Sequence, residues 1–230
     1  MMDNLQNIVA KKLLQLKSFS VQLNNPFTWA NGWKSPIYLD DRKILSYTYA
    51  RNFVKLELAR LVAERYPDAD VIAGIATPGI AHGLLAAEQL GLPFVYVFPQ
   101  PKEYGLENQI EGDLRPRQKV VVVENKVIVG DNSARVIEAI RNNGCTVLGV
   151  VTLFDYEFKE AKKRLADTGV ELLCLTNASA AFAVAEEEKF ITSEEKKQAA
   201  ETKREVKKAK GPGEISVLVI NDSGINGVGA

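Results

Sequence analysis

Apolar residues recur at helical spacing in the first segment of the chain. The positions that carry this pattern are Leu5, Ile8, Val9, Leu13 and Leu16. Because Asp3 can cap the amino end, the pattern predicts a helix over residues 3–17. The next segment, 18–45, is dense in Asn, Gly, Pro and aromatic residues. This composition predicts short strands and loops that form a small hood, or subdomain.

From Ser46 onward, helical and strand patterns alternate. Ser46 can begin a long helix that continues through Tyr66. The apolar runs that follow are VIAGI, FVYVF, KVVVVE, TVLGVVTLF and VELLCL, and the predicted helices lie near 79–90, 131–143, 157–168 and 178–188, with a long loop over 99–117. This alternation predicts an α/β fold in which helices flank a mostly parallel sheet, with 119–124 as a central strand. Ligands are then expected at the carboxyl ends of the strands.

The C-terminal segment does not follow this alternation. Residues 193–210 are highly charged and helix-prone, which favours a solvated helix. The run EISVLVI that follows has the composition of a strand, but Gly-rich sequence flanks it, so it is either an added edge strand or part of a flexible tail. We therefore divide the chain into an N-terminal helix and hood (1–45), an α/β core (46–192), and a charged helix with a Gly-rich tail (193–230).

Composition narrows the classes of function. Lys and Arg number 29 and so do Asp and Glu, so net charge gives no reason to expect nucleic acid or an anionic membrane as a partner. The N-terminal segment is charged and amphipathic, and no apolar run approaches the roughly 20 residues of a membrane span, so we expect a cytoplasmic protein. Cys145 and Cys174 lie in apparent strand segments without metal-ligand spacing, which predicts two buried thiols in a reducing compartment.

The stretch VVVVENKVIVGDNSARVIEAIR, residues 120–141, joins a strand to an amphipathic helix through a Gly-containing turn. This is the usual build of a phosphate-binding turn, in which backbone N–H groups at a helix N-terminus hold the anion. Asp131, however, places a carboxylate where a phosphate would bind. At a separation of about 4 Å, that repulsion costs on the order of 4 kcal/mol per unit charge at an effective dielectric constant of roughly 20. The alternative is that Asp131, Asn132 and Ser133 cap the helix over 131–143 and satisfy the same N–H groups.

Several segments together resemble the orotate phosphoribosyltransferase family, of the bacterial short-chain type, over residues 5–192. They are FTWANGWKSPIYLDDRK, VIAGIATPGIAHGLLAAEQLGLPFVYV, QPKEYGLENQIEGDLRPRQKVVVVE and the turn that follows. The resemblance implies the type I phosphoribosyltransferase α/β fold with an N-terminal hood, and a homodimer. It also implies a reaction in which orotate and phosphoribosyl pyrophosphate (PRPP) give orotidine monophosphate and pyrophosphate with Mg²⁺.

The resemblance also implies roles for individual residues. The matching positions are Phe27, Thr28 and Lys34 on the orotate side, Ala76, Thr77, Pro78 and Gly79 in a turn that binds pyrophosphate through backbone groups, and Lys102, Glu103 and Gly105 in a catalytic loop that reaches the neighbouring subunit's site. Two positions depart from the family pattern in this region. Tyr104 stands where the family has His, and Phe98 stands where it commonly has Arg, so a cationic partner for pyrophosphate is missing.

The PRPP motif departs further from the family, which has a sequence close to VVEDLISTGGSS where this chain has VVENKVIVGDNS. The resemblance implies that the carboxylates of the motif engage the ribose hydroxyls and that the turn holds the 5′-phosphate. Glu124, Gly130 and Ser133 remain, whereas Asn125 replaces the Asp. The residues that replace the hydroxyls and glycine of the turn are Ile128, Val129, Asp131 and Asn132. We therefore expect native turnover to be impaired.

A second class of function stays open, in which the scaffold is engineered or degenerate and its pocket is repurposed. Lys126 follows the predicted strand, and in a dry crevice burial would favour its neutral amine, a nucleophile that forms a Schiff base with a carbonyl compound. The alternative is that Lys126 extends its ammonium into water, which leaves a non-catalytic small-molecule binder. His82, the only histidine, lies near a helix start and is expected to be structural rather than part of a triad.

Overall fold

In the computed structural model of the protein, the segments with helical or strand periodicity form regular helices and strands. The structure describes residues 2–22, 27–28, 34–35, 37–101, 108–194, 206–209, 215–221 and 224–228. The helices are α1 (Met2–Gln15), a 3₁₀ helix (Asp41–Ser46), α2 (Thr48–Arg65), α3 (Gly79–Leu90), α4 (Asp131–Asn142), α5 (Lys159–Thr168) and α6 (Ala178–Glu187). The strands are β1 (Phe19–Val21), β2 (Phe27–Thr28), β3 (Lys34–Ser35), β4 (Ile37–Leu39), β5 (Val71–Ile75), β6 (Phe94–Val97), β7 (Ile110–Glu111), β8 (Lys119–Val127), β9 (Thr146–Asp155), β10 (Glu171–Asn177), β11 (Val206–Ala209), β12 (Ile215–Asn221) and β13 (Gly224–Val228).

These elements form two compact units. The first comprises Met1–Tyr47, Tyr156–Glu160 and Thr176–Ala230, and the second comprises Thr48–Asp155 and Ala161–Leu175. None of the helices in the described ranges combines the length and the hydrophobicity that a membrane span requires.

In the first unit, α1 packs against α6 through the apolar face that its spacing predicts. Leu13 is 1% exposed, and Thr176 donates from Oγ1 to the carbonyl oxygen of Gln6 at 2.9 Å. Strand β1 pairs antiparallel with β4, and Tyr156 secures β4 because its buried hydroxyl accepts the backbone N–H of Leu39 at 3.0 Å. Burial raises the pKa of the Tyr156 hydroxyl, so this acceptor stays uncharged.

The second unit is built on a six-stranded sheet in the order β10-β9-β8-β5-β6-β7. Strand β8 lies between β9 and β5 and is parallel to both, β6 is parallel to β5, and the short β7 runs antiparallel to β6. Val120, Val121, Val122 and Val123 are fully buried, as a strand covered on both faces requires. Helices α2 and α3 pack together, and α3 and α4 pack on the central strands. The predicted α/β class and the central position of 119–124 are confirmed.

Some elements differ from the sequence-based expectation. Strand β8 continues to Val127, so Asn125 and Lys126 lie in a strand and not in the turn. The loop expected over 99–117 contains β7, whose two residues pair with β6. Asp41–Ser46 forms a 3₁₀ helix where loop was expected. Cys145 is buried as predicted, but Cys174 is only half-buried, which corrects the expectation of two buried thiols.

The C-terminal segment also requires a correction. Val206–Ala209 lies within the range predicted as a charged helix, but it is strand β11 and pairs antiparallel with β12. The run EISVLVI is a strand, as its composition predicts, although it belongs to a separate three-stranded sheet, β11-β12-β13, and is not an added edge of the central sheet. Strand pairing overrides the helical preference of the charged residues here, because intrinsic propensity is a weak determinant.

Candidate functional site

Two strand-to-helix turns lie side by side at the carboxyl edge of the central sheet. Strands β5 and β8 are hydrogen-bonded neighbours, with Gly74 opposite Val123. Helix α3 begins at Gly79, and a Cβ placed there would lie 2.8 Å from the carbonyl oxygen of Val123. Only glycine therefore lets α3 begin so close to the backbone of β8. The topology brings together two segments that are 45 or more residues apart, as expected for a ligand site at this edge.

The turn after β5 is held by its backbone. The N–H of Ala76 donates to Val97 at the end of β6 at 2.9 Å, and the N–H of Ile80 donates to the carbonyl oxygen of Thr77 at 3.2 Å. The Ala76–Thr77 peptide bond is cis. Ala76 and Gly79 are buried, whereas Thr77 and Pro78 are exposed. The turn therefore presents the exposed Thr77 from a backbone that hydrogen bonds hold on both sides.

Glu124 is a carboxylate buried near the end of the central strand. It is 7% exposed, and the hydroxyl of Ser133, in the first turn of α4, donates to its Oε2 at 2.5 Å. Burial raises the pKa of Glu124 to about 7, and the hydrogen bond from Ser133 opposes that rise. The structure thus places the first carboxylate of the PRPP motif against the first turn of α4, with a protonation state that changes near neutral pH.

Asn125 and Lys126 follow Glu124 along β8. Asn125 is 5% exposed and directly follows Glu124 in the same strand. Lys126 is half-buried and lies beside Phe154 in the ladder with β9. Schiff-base chemistry at this amine depends on full burial in a dry crevice, and a half-buried side chain does not meet that condition. The structure therefore gives no support to the amine hypothesis.

The turn after β8 does not use the side-chain cap that the sequence suggested. The N-cap residue of α4 is Gly130, with φ +76°, and no side-chain cap bond is made. Ser133 instead bonds Glu124, and Asp131 instead forms an ion pair with Arg164 on α5. The capping hypothesis for Asp131, Asn132 and Ser133 is therefore wrong. The first-turn N–H groups of α4 lack a side-chain cap, which is the arrangement of an anion-binding helix N-terminus.

Arg164 changes the electrostatic interpretation of the turn. Its Nη1 pairs with the Asp131 carboxylate and also donates to the carbonyl oxygen of Val129 at 3.1 Å. The repulsion expected from Asp131 assumed an uncompensated carboxylate, and the guanidinium supplies the compensating charge. Sequence reasoning missed Arg164, because it is 33 positions from Asp131 and lies in a helix whose other charged residues mark a solvated face.

Asp155 is a second residue that the sequence analysis did not select. It is 7% exposed and ends β9 beside Val127 of β8. Its position directly after the apolar run TVLGVVTLF, at the carboxyl end of a parallel strand, was the available signal. His82, by contrast, is 2% exposed within α3, which agrees with the structural role expected of it.

The remaining sequence-selected residues are described only in part. Phe27 contacts the ring of Tyr38, with centroids 5.3 Å apart, and the pair β2–β3 places Thr28 opposite Lys34. Phe98 is bonded through its backbone N–H and carbonyl group to Gln109, which joins the two sides of the loop after β6. The loop residues Lys102, Glu103 and Tyr104 lie outside the described residues.

Metal binding at this edge depends on few protein donors. Within the described ranges, no group of three or more His, Cys, Asp or Glu side chains is placed to hold a metal ion. Mg²⁺ is commonly bound by one or two carboxylates together with substrate phosphates, so it does not need such a group. Glu124 offers the hard oxygen donor that this ion prefers, and the residues present therefore fit a magnesium ion that arrives with a phosphorylated substrate.

Comparison with known proteins extends over most of the chain. No family model matches it. It is 50% identical over 194 residues to the orotate phosphoribosyltransferase of Bacteroides thetaiotaomicron, an alignment that covers 84% of this chain and 92% of the relative. The orotate phosphoribosyltransferase of Porphyromonas gingivalis is 49% identical over 176 residues, with 76% and 84% covered. Among solved structures, that of orotate phosphoribosyltransferase from Aeropyrum pernix superposes with a TM-score of 0.69 at 27% identity, covering 80% of this chain and 99% of that one.

Proposed function

The chain belongs to the orotate phosphoribosyltransferase family, and from this premise we propose that it joins orotate to PRPP, giving orotidine monophosphate and pyrophosphate. The observation that carries the proposal is the Glu124–Ser133 pair. A buried carboxylate at the end of the central strand is hydrogen-bonded to the first turn of a helix whose N-cap is glycine. One site thereby combines an acceptor for ribose hydroxyls with N–H donors for a phosphate.

Each part of PRPP has a chemically matched group in this proposal. Glu124, when ionised, has only acceptor oxygens and can accept hydrogen bonds from the ribose hydroxyls with both of them. The first-turn N–H groups of α4 receive the 5′-phosphate. The backbone of Ala76–Gly79 receives the pyrophosphate group, and Phe27, Thr28 and Lys34 bind orotate. Orientation of two bound reactants for displacement at the ribose carbon is a large source of rate enhancement in such a reaction.

Magnesium and the catalytic loop complete the proposal. When bound with PRPP, Mg²⁺ supplies charge neutralisation for the departing pyrophosphate, and Glu124 is the residue that would hold it. Lys102 and Glu103 are assigned to the loop that covers the pyrophosphate, and Tyr104 is assigned to substrate binding on the same loop. The family resemblance supports these loop assignments.

Repulsion between Asp131 and the phosphate is no longer a reason to expect impaired turnover, because Arg164 pairs with the Asp131 carboxylate. Asn125 is a separate reason to expect weaker PRPP binding, since a buried amide replaces a charged acceptor there. We therefore propose that the chain is active, with an affinity for PRPP that Asn125 lowers.

A spectrophotometric assay that follows orotate consumption with PRPP and Mg²⁺ tests the proposed function. Conversion that requires both PRPP and Mg²⁺, with pyrophosphate released in equal amount, is the expected result. Isothermal titration of the same protein with PRPP and Mg²⁺ separates binding from chemistry. Absence of both heat and product would refute the proposal, and binding of a carbonyl compound in place of PRPP would favour a repurposed pocket.

We also propose a homodimer in the cytoplasm. The dimer follows from the family resemblance, in which the loop carrying Lys102 acts in the neighbouring subunit's site. Cys145 and Cys174 are both free thiols, which suits a reducing compartment.

A further inference from the structure

One guanidinium nitrogen of Arg164 contacts the turn before α4 at two points. Nη1 pairs with the Asp131 carboxylate and donates to the Val129 carbonyl oxygen at 3.1 Å, and its two hydrogens allow both contacts at once. We propose that Arg164 is a positioning residue that holds the Asp131 carboxylate on the back of this turn, away from the N–H groups that receive the 5′-phosphate. The inference deepens the proposed function and rests on it, because the phosphate belongs to PRPP.

The side of the turn on which the carboxylate lies follows from peptide geometry. The Val129–Gly130 peptide bond is trans, so the carbonyl group of Val129 and the N–H of Gly130 point in opposite directions. Because the Asp131 carboxylate shares Nη1 with that carbonyl oxygen, it lies on the carbonyl side. The opposite side, toward which the N–H of Gly130 points, is left for an anion.

Helix α5 holds Arg164 in place against the turn. A Cβ on Gly130 would lie 3.2 Å from the Cα of Ala161, so the backbones of the turn and the helix are in close contact. Ala161 is fully buried, and Arg164 is three positions further along the same helix and therefore on the same side. The positive φ of Gly130 and the small side chain of Ala161 together allow the approach that brings Arg164 within reach of the turn.

The Arg164–Asp131 ion pair sets the position of the Asp131 carboxylate and contributes little to the stability of the fold. The side chains of Arg164 and Asp131 are 42% and 49% exposed, and exposed ion pairs contribute little to folding. Without Arg164, however, the positive end of the α4 dipole attracts the Asp131 carboxylate toward the first-turn N–H groups. There it would compete with phosphate for the same donors. Removing Arg164 should therefore weaken PRPP binding, and removing the Asp131 charge as well should restore it.

A double-mutant cycle with Arg164→Ala and Asp131→Asn tests this proposal. We expect Arg164→Ala to raise the KM for PRPP about tenfold, which corresponds to about 1.4 kcal/mol, with kcat and the KM for orotate little changed. In the double variant, the KM for PRPP should return to near the wild-type value. The matched control is Lys163→Ala, which removes one positive charge from the neighbouring exposed position of α5 and should leave all three constants unchanged. An equal loss from Arg164→Ala in both backgrounds would overturn the proposal, since it would assign the effect to the Val129 contact alone.

Amide hydrogen exchange in the ligand-free protein gives a readout that does not depend on turnover. The amides of this turn should exchange several times more slowly in Arg164→Ala than in the wild type, because the released Asp131 carboxylate accepts their hydrogen bonds, and Lys163→Ala should match the wild type. If the wild type does not bind PRPP, the proposed function fails, and slower exchange in Arg164→Ala still supports the positioning of the Asp131 carboxylate by Arg164. If the wild type binds PRPP but exchange and KM are unchanged in Arg164→Ala, the positioning role is wrong and the proposed function stands.

Discussion

At the scale of single residues, the protonation state of Glu124 affects both the free energy of unfolding and the binding of PRPP. Its pKa is raised to about 7 from an ordinary value of 4.5, chiefly by burial. Between these two pH values the unfolded chain loses the proton while the folded chain keeps it, so stability falls as pH rises through this window. Above pH 7 the cost approaches about 3 kcal/mol, at about 1.4 kcal/mol per pH unit. The site thus keeps a carboxylate that an apolar core would not tolerate without a functional reason.

Replacing Glu124 by Gln tests both consequences of this proton. Denaturant unfolding should show Glu124→Gln and wild type equally stable near pH 4.5, and the variant more stable at pH 8 by up to about 3 kcal/mol. Catalytic efficiency with PRPP should move the other way in the wild type, rising with pH through about 7 as the acceptor carboxylate forms. In Glu124→Gln, efficiency should be low and should lack this rise. An equal stability difference between wild type and Glu124→Gln at pH 4.5 and pH 8 would show that folding does not raise the pKa of Glu124.

Among the departures from the PRPP motif, Asn125 is the one that we still expect to weaken PRPP binding. Hydrogen bonds to a charged acceptor contribute about 1 kcal/mol more than those to a neutral one, so Asn125→Asp should lower the KM for PRPP by about fivefold. The same change buries a carboxylate at a position that is 5% exposed, so the free energy of unfolding should fall. Asn142→Asp, at the exposed end of α4, adds the same charge as a control. An unchanged KM would place the side chain of residue 125 away from the ribose.

At the scale of secondary-structure elements, two helix N-termini have opposite chemistry. Helix α6 is capped internally: Asn177 accepts the N–H of Ala180 at 2.8 Å, and the Glu157 carboxylate accepts the N–H of Ser179 at 2.8 Å. Helix α4 has glycine as its N-cap and no side-chain cap bond. An anion therefore has donors at α4, whereas protein oxygens already use those of α6.

The cap of α6 leads to a prediction about stability. Asn177→Ala removes the acceptor for the N–H of Ala180, so it should lower the free energy of unfolding by about 1 kcal/mol, as measured by urea denaturation. Asn177→Asp keeps the acceptor and adds favourable charge at the helix N-terminus, so it should be close to wild type. Equal losses in both variants would mean that the amide group, and not the cap, matters at this position.

Sequence patterns predicted these elements better than they predicted the contacts of the site. Apart from the short β7, the strands and helices from Val71 to Glu187 follow from hydrophobic periodicity, because burial on both faces of the sheet requires continuous apolar runs. The partners of Asp131 and Ser133 were not predictable in the same way. Both side chains have cap-forming chemistry, but tertiary contacts with Arg164 and Glu124 use them instead. Strand β8 was predicted too short for a related reason, since its ladder with β9 extends over the polar residues Asn125 and Lys126.

At the scale of the whole molecule, the proposed dimer needs a surface that a second copy can cover. Tyr49 and Leu56 are 61% and 50% exposed and lie seven positions apart on α2, hence on one face of that helix. Leu84 of α3, which packs against α2, is 51% exposed. Exposed apolar side chains grouped on packed helices are characteristic of a surface that associates. A two-fold contact between identical α2 faces would cover Tyr49 and Leu56 in both subunits.

Leu56→Glu tests this interface because it places a charge in the middle of the apolar face. Sedimentation at micromolar concentration should give a dimer for the wild type and mostly monomer for Leu56→Glu, since an unpaired charge is costly to bury. Turnover should fall together with the dimer, because the loop that carries Lys102 would no longer reach a neighbouring site. Phe190→Glu alters an equally exposed aromatic residue on the other unit, at 51%, and should remain dimeric and active. A wild type that sediments as a monomer while turning over orotate would contradict the dimer, and a dimeric Leu56→Glu would move the interface to another surface.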